Sequence, residues 1–334
     1  NSILAIAQDK LGFIWVGTYS GLHKYDGLNF QVYSSSTDSI SFSSNFIAAI
    51  FEDSHNQLWI GTGDGVAKYN RQSDDFTKFN LISANNVYGG EDNFVNTILE
   101  DVNGTIWVSS SASGLFFFDP DTQQFLPYEV DDVRLINGMV SGEEGILWIA
   151  TLRSGLIKLN TSSGKVEYYQ NDPSDPHSIS SNNLKTVAID SDGNLWVGAR
   201  SSGLNRMVEI QGKVSFVRYV HDPENPFSLY NNMIYKLYVD PKGNLWSCNE
   251  NGGLHLYNKE EDGFYRYLHD PKNPNSLSHN SVWNIFLDSQ DKYWVGTAQS
   301  GINLADPYSS KFEHYFENSL DAEPNVVPSA LTGR

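Results

Sequence analysis

The stretch "LGFIWVGTYSGLHKYDG", residues 11–27, sets a Trp, a Gly-Thr pair, a Gly-Leu pair and a Tyr-Asp pair close together. Glycines in such a run suit two structures: a phosphate-cradling loop before a helix, or the tight turns of a sheet. The rest of the chain decides between them, because the stretch recurs. Its relatives are "NQLWIGTGDGV", "GTIWVSSSASGL", "GILWIATLRSGL", "GNLWVGARSSGL", "GNLWSCNENGGL" and "DKYWVGTAQSGI". The motif tryptophans are Trp15, Trp59, Trp107, Trp148, Trp196, Trp246 and Trp294, at spacings of 44, 48, 41, 48, 50 and 48; Trp283 lies outside this column.

A period in the forties with short apolar segments predicts one four-stranded propeller blade per repeat. Each repeat begins with an apolar strand such as "SVWNIFLD". The Trp strand follows, then "GLHKYD" or its equivalent, then an aromatic strand such as "FQVY", "FTKF", "FVRY", "FYRY" or "FEHY". The expected fold is therefore all-β: a seven-bladed β-propeller of four-stranded antiparallel blades over residues 1–316. The blades are expected at about 1–44, 45–92, 93–133, 134–181, 182–231, 232–279 and 280–316. Residues 317–334 form a tail, and "NVVPSAL" within it resembles the start of a further repeat or is a disordered remnant.

Turn chemistry agrees. Three residues before each motif Trp stand Gly12, Asn56, Gly104, Gly145, Gly193, Gly243 and Asp291, all types that tolerate a left-handed backbone. Three positions earlier an Asp usually stands: Asp9, Asp53, Asp101, Asp190, Asp240 and Asp288. Its side chain can close the turn onto nearby N–H groups. No helix follows to receive a phosphate, so the glycines of the opening stretch read as hairpin punctuation. The tryptophans read as blade-to-blade packing, each burying on the order of 200 Å².

Composition bounds the function. The chain has 334 residues, a net charge of −18 and 13% aromatics, enough apolar material for a large core. The acidic balance argues against nucleic acid as a partner. Cys248 is the one cysteine, so no intramolecular disulfide forms; this fits the cytosol and the bacterial periplasm equally. No run of about 18 apolar residues spans a membrane and no signal peptide is visible. The first residues already read as structure, so the ends are expected to be cut from a longer chain.

The pattern N-x-[VI]-x-x-[IVL]-x-x-D-x-x-G-x-[LI]-W-[VI]-G-T-x-x-x-G-[LI]-x-x-[YL]-[DN] resembles the two-component regulator propeller repeat, seven times over nearly the whole chain. The loops "NDPSDPHSISSNN", "HDPENPFSLYNN" and "HDPKNPNSLSHN" resemble that family's inter-blade linkers. The resemblance implies a periplasmic sensor region of an inner-membrane signalling protein. Such proteins carry two propellers, a small β-sandwich, one transmembrane helix and a cytoplasmic histidine kinase, often hybrid, or a diguanylate cyclase. It also implies an oligosaccharide or other small ligand, a second propeller or sandwich of the same parent as partner, and a homodimer in the full-length protein.

If strands run from innermost to outermost, the loop after the Trp strand and the long linker share one face, the natural binding surface. The linker ends in Asn in six repeats (Asn1, Asn45, Asn93, Asn182, Asn232, Asn280), read as a cap on the linker turn. The fourth repeat has Arg134 instead, and Arg153 and Arg200 follow Trp148 and Trp196. These arginines, with Lys185, either pair with nearby carboxylates or form an anion site for a carboxylated or sulfated sugar. Tyr19, Tyr88, Phe94, Phe227, Tyr230, Tyr235 and Trp283 lie near the same face, as linker wedges or as sugar platforms. Tyr235 and Trp283 share a column with Leu4, Ala48, Asn96, Asn137 and Lys185 that varies while its neighbours stay apolar, as a channel lining does. Asn249, Glu250 and Asn251 stand where other repeats have Gly-Thr, as a polar contact or as drift.

Catalytic and metal-binding motifs are missing: no H-E-x-x-H, no Cys–His metal spacing and no G-x-S-x-G. "DSDGN" at 190–194 lacks the later Glu of a calcium loop and sits on the repeat turn. His221 and His269 fall in linker turns, and Cys248 reads as a buried packing residue. No cofactor is expected. Three functions compete: a ligand sensor, a protein-binding scaffold, and a propeller lyase or glycosidase.

Overall fold

The computed structural model describes residues 2–35, 44–81, 93–111, 113–129, 135–143, 145–306 and 311–315. They form seven antiparallel sheets, each of four strands consecutive in sequence and in space. Blade 5 shows the unit: Leu184–Ile189, Leu195–Ala199, Leu204–Ile210 and Lys213–Tyr219. The first strand of each blade lies against the first strands of both neighbours, and that of blade 7 lies against that of blade 1. First strands therefore ring the axis and fourth strands lie outside. The molecule is the seven-bladed β-propeller of four-stranded blades that the repeats predict. The tail 317–334 lies outside the described residues.

Packing explains the Trp column. The Trp strand is buried along its whole length in six blades. Each motif indole joins an apolar cluster with the next blade: Trp15 with Ile47, Leu58 and Ile60, and Trp294 with Ile3 and Ile6 where the ring closes. In six blades the Asp six residues before the Trp clamps it. Asp190 Oδ1 accepts the N–H groups of Asp192 and Asn194, while Oδ2 accepts the indole N–H of Trp196 at 2.8 Å. Asp9, Asp53, Asp101, Asp240 and Asp288 repeat the pattern. Blade 4 has Gly142 at that place, where a Cβ would meet the Trp148 ring at 3.2 Å. The residue three before each Trp has φ between 63° and 90°, so the turn does require Gly, Asn or Asp there.

One reading of the opening stretch is corrected. Gly17 is not turn punctuation: it sits in the strand Ile14–Thr18. A Cβ on it would lie 2.6 Å from the carbonyl oxygen of Ile47 in the next blade. Gly61, Gly198 and Gly296 likewise face Val95, Ile234 and Ile3. This glycine sets how closely neighbouring blades approach.

Candidate ligand site at the channel mouth

Pairing between the first and second strands slips by one residue at the same place in every blade. In blade 5, Leu184 pairs with Ala199 and Thr186 with Gly198, leaving Lys185 extra. Tyr235, Trp283, Leu4, Ala48, Asn96 and Asn137 are the corresponding extra residues elsewhere. The variable column of the sequence is thus a column of β-bulges on the innermost strands, and a bulge re-aims its side chain. It lies at the start of those strands, beside the linkers and the loops that follow the Trp strands, where the axis opens to one face.

The bulge residues divide the mouth. Asn96 and Asn137 donate to Ile136 O and Leu184 O of the next blades, at 2.6 and 2.7 Å, and tie that side together. Blades 5, 6 and 7 instead present Lys185, Tyr235 and Trp283 as one contiguous group. Lys185 Nζ stands 4.8 Å from the centre of the Tyr235 ring, within cation–π range. Tyr235 and Trp283 stack with centroids 4.9 Å apart and planes 6° from parallel. The Trp283 indole N–H donates to Glu250 Oε2 at 2.8 Å. Tyr19, 52% exposed, meets Trp283 edge-on at 6.3 Å. Phe46 and Phe94 continue the aromatic arc at 4.9 and 4.6 Å.

The electrostatics follow from partial burial. Burial, and then the like charge of Arg200, holds the Lys185 ammonium below the usual lysine range, with Glu250 opposing. Burial, then Tyr19 and Glu250, pushes the Tyr235 hydroxyl above its usual range. Arg200 is exposed at the rim, its main chain bonded to Asn183 O.

The structure thus gathers Lys185, Tyr235, Trp283, Glu250, Tyr19 and Arg200 into one site. It does not bring in Arg153, which is exposed and makes no hydrogen bond or ion pair with the described residues. Asn251 occupies a left-handed turn (φ 53°), and Ser281 Oγ donates to its Oδ1. Arg134 and Tyr88 lie outside the described residues. Phe227 wedges its linker against Tyr265 and Gly263, and the Tyr230 N–H donates to His255 Nε2. Asn45, Asn182, Asn232 and Asn280 cap linker turns, each accepting an N–H ten or eleven residues upstream. His221 and His269 hold linkers through Leu229 O and Leu277 O. Cys248 is buried, its thiol pushed up to about 12. One residue of the aromatic arc escaped the sequence reading: Phe46, which shares the column of Phe94.

Fold and site define a seven-bladed propeller with one differentiated sector at its channel mouth. The two-component regulator propeller family matches residues 1–20, 41–64, 89–112, 178–201 and 276–299, which fall in blades 1, 2, 3, 5 and 7. Five of the seven repeats thus match that family's model. Over 200 residues, 56% of the chain, it is 29% identical to histidine kinase P4 of Formosa agariphila, of which the match spans only 14%. It superposes on the extracellular domain of BT3049 from B. thetaiotaomicron, described as a hybrid two component system, with a TM-score of 0.75 and 25% identity. That match covers 91% of this chain and 40% of the other. Virginiamycin B lyase from Staphylococcus aureus shares the fold alone (TM-score 0.65, 14% identity, 90% of this chain and 93% of the lyase).

Proposed function

We propose that this propeller is an extracytoplasmic sensor module of a membrane-bound signal-transduction protein, and that it reads a ligand at the channel mouth of blades 5, 6 and 7. The family-model match in five blades and the likeness to an extracellular two-component domain support the sensor role. The observation that carries the ligand reading is the Lys185–Tyr235–Trp283 run on three successive bulges, with Glu250 and Arg200 beside it. An oligosaccharide suits this surface: aromatic edges and faces meet sugar rings, and Glu250 and Arg200 offer an acceptor and donors to hydroxyls. The module stands in the periplasm as part of an inner-membrane parent. A histidine kinase or diguanylate cyclase is the output, and a homodimer with a second propeller or sandwich relays the signal. Binding signals only through unequal affinity for two arrangements of that assembly.

The test pairs a glycan panel titrated against the propeller, read by tryptophan fluorescence, with a reporter driven by the full parent in cells. The expected result is one saturable glycan whose reporter response disappears in Trp283→Ala. A ligand-dependent reporter indifferent to Trp283→Ala would remove the channel mouth from the account. One observation favours the alternative of a protein-binding scaffold: Leu28, Phe30 and Val32, on and before the outer strand of blade 1, are 88%, 41% and 52% exposed. Capture of a folded protein through that strand, with no glycan bound, would favour the scaffold.

A further inference from the structure

In blades 5 and 6 the outer strand is itself covered by the linker that enters the blade. The Phe216 N–H donates to His177 O at 2.8 Å, and the Phe264 N–H donates to Phe227 O at 2.6 Å. Two residues further along each linker an aliphatic side chain is buried in the corner between blades. Ile179 lies with Trp148, Leu156, Leu184 and Phe216, and Leu229 with Trp196, Leu204, Ile234 and Phe264. Leu81 and Leu277 join the corresponding clusters ahead of blades 3 and 7. Arg218 and Arg266, on the outer strands, fasten the linkers by donating to Ser178 O and Ser228 O.

Blade 1 has the same corner without the covering strand. Trp294, Ile302 and Ile3 stand where the corner of Leu229 has Trp196, Leu204 and Ile234, and their cluster contains no linker side chain among the described residues. Phe30 pairs with Tyr25 as Phe264 pairs with Tyr257, so its N–H faces outward in the same way. No described residue accepts that N–H. Phe30 is 41% exposed, where Phe216 and Phe264 are 5% and 1% exposed. The Tyr25 ring lies 4.6 Å from Phe30 and 5.7 Å from Trp294, which sets Phe30 at the rim of the corner. Val32 is two residues on and so shares the side of Phe30; it occupies the place of Arg218 and Arg266 and is also exposed. An outward N–H beside exposed apolar side chains is what strand addition uses: main-chain bonds give affinity and side-chain pockets give choice.

We infer that the outer edge of blade 1 is a strand-acceptor site: it takes one extended peptide segment of a partner protein, whose carbonyl receives the Phe30 N–H and whose aliphatic side chain fills the corner of Trp294, Ile302 and Ile3. The linkers of blades 5 and 6 show the form of that segment. Val32 changes its chemistry, because a valine cannot donate to the main chain as Arg218 and Arg266 do. The residue facing Val32 is therefore apolar where the linkers have Ser178 and Ser228. The chain's own tail repeats the linkers' Ser-Leu pair at Ser319–Leu320, but four residues after Tyr315, where the linkers set the Ser nine residues after Tyr169, Tyr219 and Tyr267. It is too short to repeat their path, so the occupant comes from another polypeptide. The site shares no residue with the channel mouth and stands whether or not a glycan binds there.

The test titrates the whole chain with a fluorescent peptide copying residues 225–232, Asn-Pro-Phe-Ser-Leu-Tyr-Asn-Asn, and with its Ser228→Val and Leu229→Asp forms, read by polarisation. The expected result is saturable binding, about fivefold tighter for the Ser228→Val peptide and absent for Leu229→Asp. Hydrogen exchange at the Phe30 amide should slow when the peptide is bound. Phe30→Ala should weaken binding by about tenfold. Val32→Arg, a change on the exposed surface, should reverse the preference towards the Ser228 peptide, because it restores the chemistry of Arg266; it serves if Phe30→Ala fails to fold. No saturable binding at millimolar peptide, or binding unchanged in both variants, overturns the inference. Binding seen only in Leu320→Asp would assign the edge to the chain's own tail and overturn it too. Self-association of the chain that the peptide displaces and Val32→Arg abolishes would assign the edge to a second copy, with the same consequence. Each of these failures leaves the glycan titration and the Trp283→Ala reporter result to judge the channel mouth separately.

Discussion

Asp190→Asn tests the clamp that fixes each blade. In the wild type, Asp190 is 6% exposed and accepts five hydrogen bonds. Two come from turn N–H groups, two from the Asn194 amide and one from the Trp196 indole at 2.8 Å. Asparagine preserves shape and keeps one oxygen for the turn. It sets an NH2 group against the indole N–H, whose ring is fully buried and has no water to turn to. The two bonds into Oδ2, from the indole and from the Asn194 amide, are lost and the others fall to neutral strength, so the cost should be about 3 kcal/mol. Urea unfolding followed by tryptophan fluorescence reads it as a lowered midpoint at unchanged slope. Acid supplies a second check. Burial alone would raise the Asp190 carboxyl pKa, but the hydrogen bonds of Asn194, Trp196 and the turn overcome it and hold the carboxyl below its usual range. An acid with a depressed folded pKa contributes stability above its unfolded pKa, near 3.9, and loses it as pH falls through the folded value. The gap between wild type and Asp190→Asn should therefore narrow below about pH 4. A variant within about 0.5 kcal/mol of wild type at pH 7, or a gap that widens in acid, would refute the reasoning.

Two further outcomes follow from buried groups. Burial, then Arg266, pushes the His255 imidazole down to about 3, and in its neutral form it accepts the Tyr230 N–H and bonds Asn249. A base with a depressed folded pKa lets the unfolded chain take the proton first. Stability should fall by up to about 1.4 kcal/mol per pH unit as pH drops from about 6.5 towards 3, and His255→Gln should flatten that slope in urea midpoints measured from pH 7 to 4. Gly17→Ala puts a Cβ 2.6 Å from a backbone oxygen of blade 2 that cannot swing away. It should cost about 1–3 kcal/mol by the same urea assay, whereas Ala150→Gly, at the equivalent place in blade 4, should cost no more than about 1 kcal/mol.

The sequence exposes whatever repeats at a fixed offset. The Trp column, the Asp six residues earlier and the left-handed residue between them interact within one hairpin, so spacing alone reveals them. The same is true of the Asn caps, where an oxygen reaches back across a linker of constant length. Gly17 was misread because its partner, Ile47, belongs to the next repeat, and a mid-strand glycine looks like a turn until two blades are placed together. The bulges were hidden for a related reason. A register slip leaves no residue signature of its own, and only the variability of Lys185, Tyr235 and Trp283 among constant neighbours betrayed it. Arg153 and Arg200 occupy like loops, yet only Arg200 stands beside a bulge lysine close enough to depress it.

The site's place in the ring bears on how it would signal. Every blade is completed by its own four strands, so no described strand crosses from blade 7 to blade 1. Among the described residues this junction is held by packing and by side-chain hydrogen bonds, among them Asn284 Nδ2 to Leu4 O and the Ser289 N–H to Gln8. Trp283 belongs to blade 7 and Tyr19 to blade 1, and their rings meet across that junction. A ring laid against both would bear on that junction. Signalling requires a junction whose geometry can differ between two states at a cost of a few kcal/mol, matched by the ligand's unequal affinity for them. A ligand at the mouth would therefore act across the junction at which blade 7 packs on blade 1.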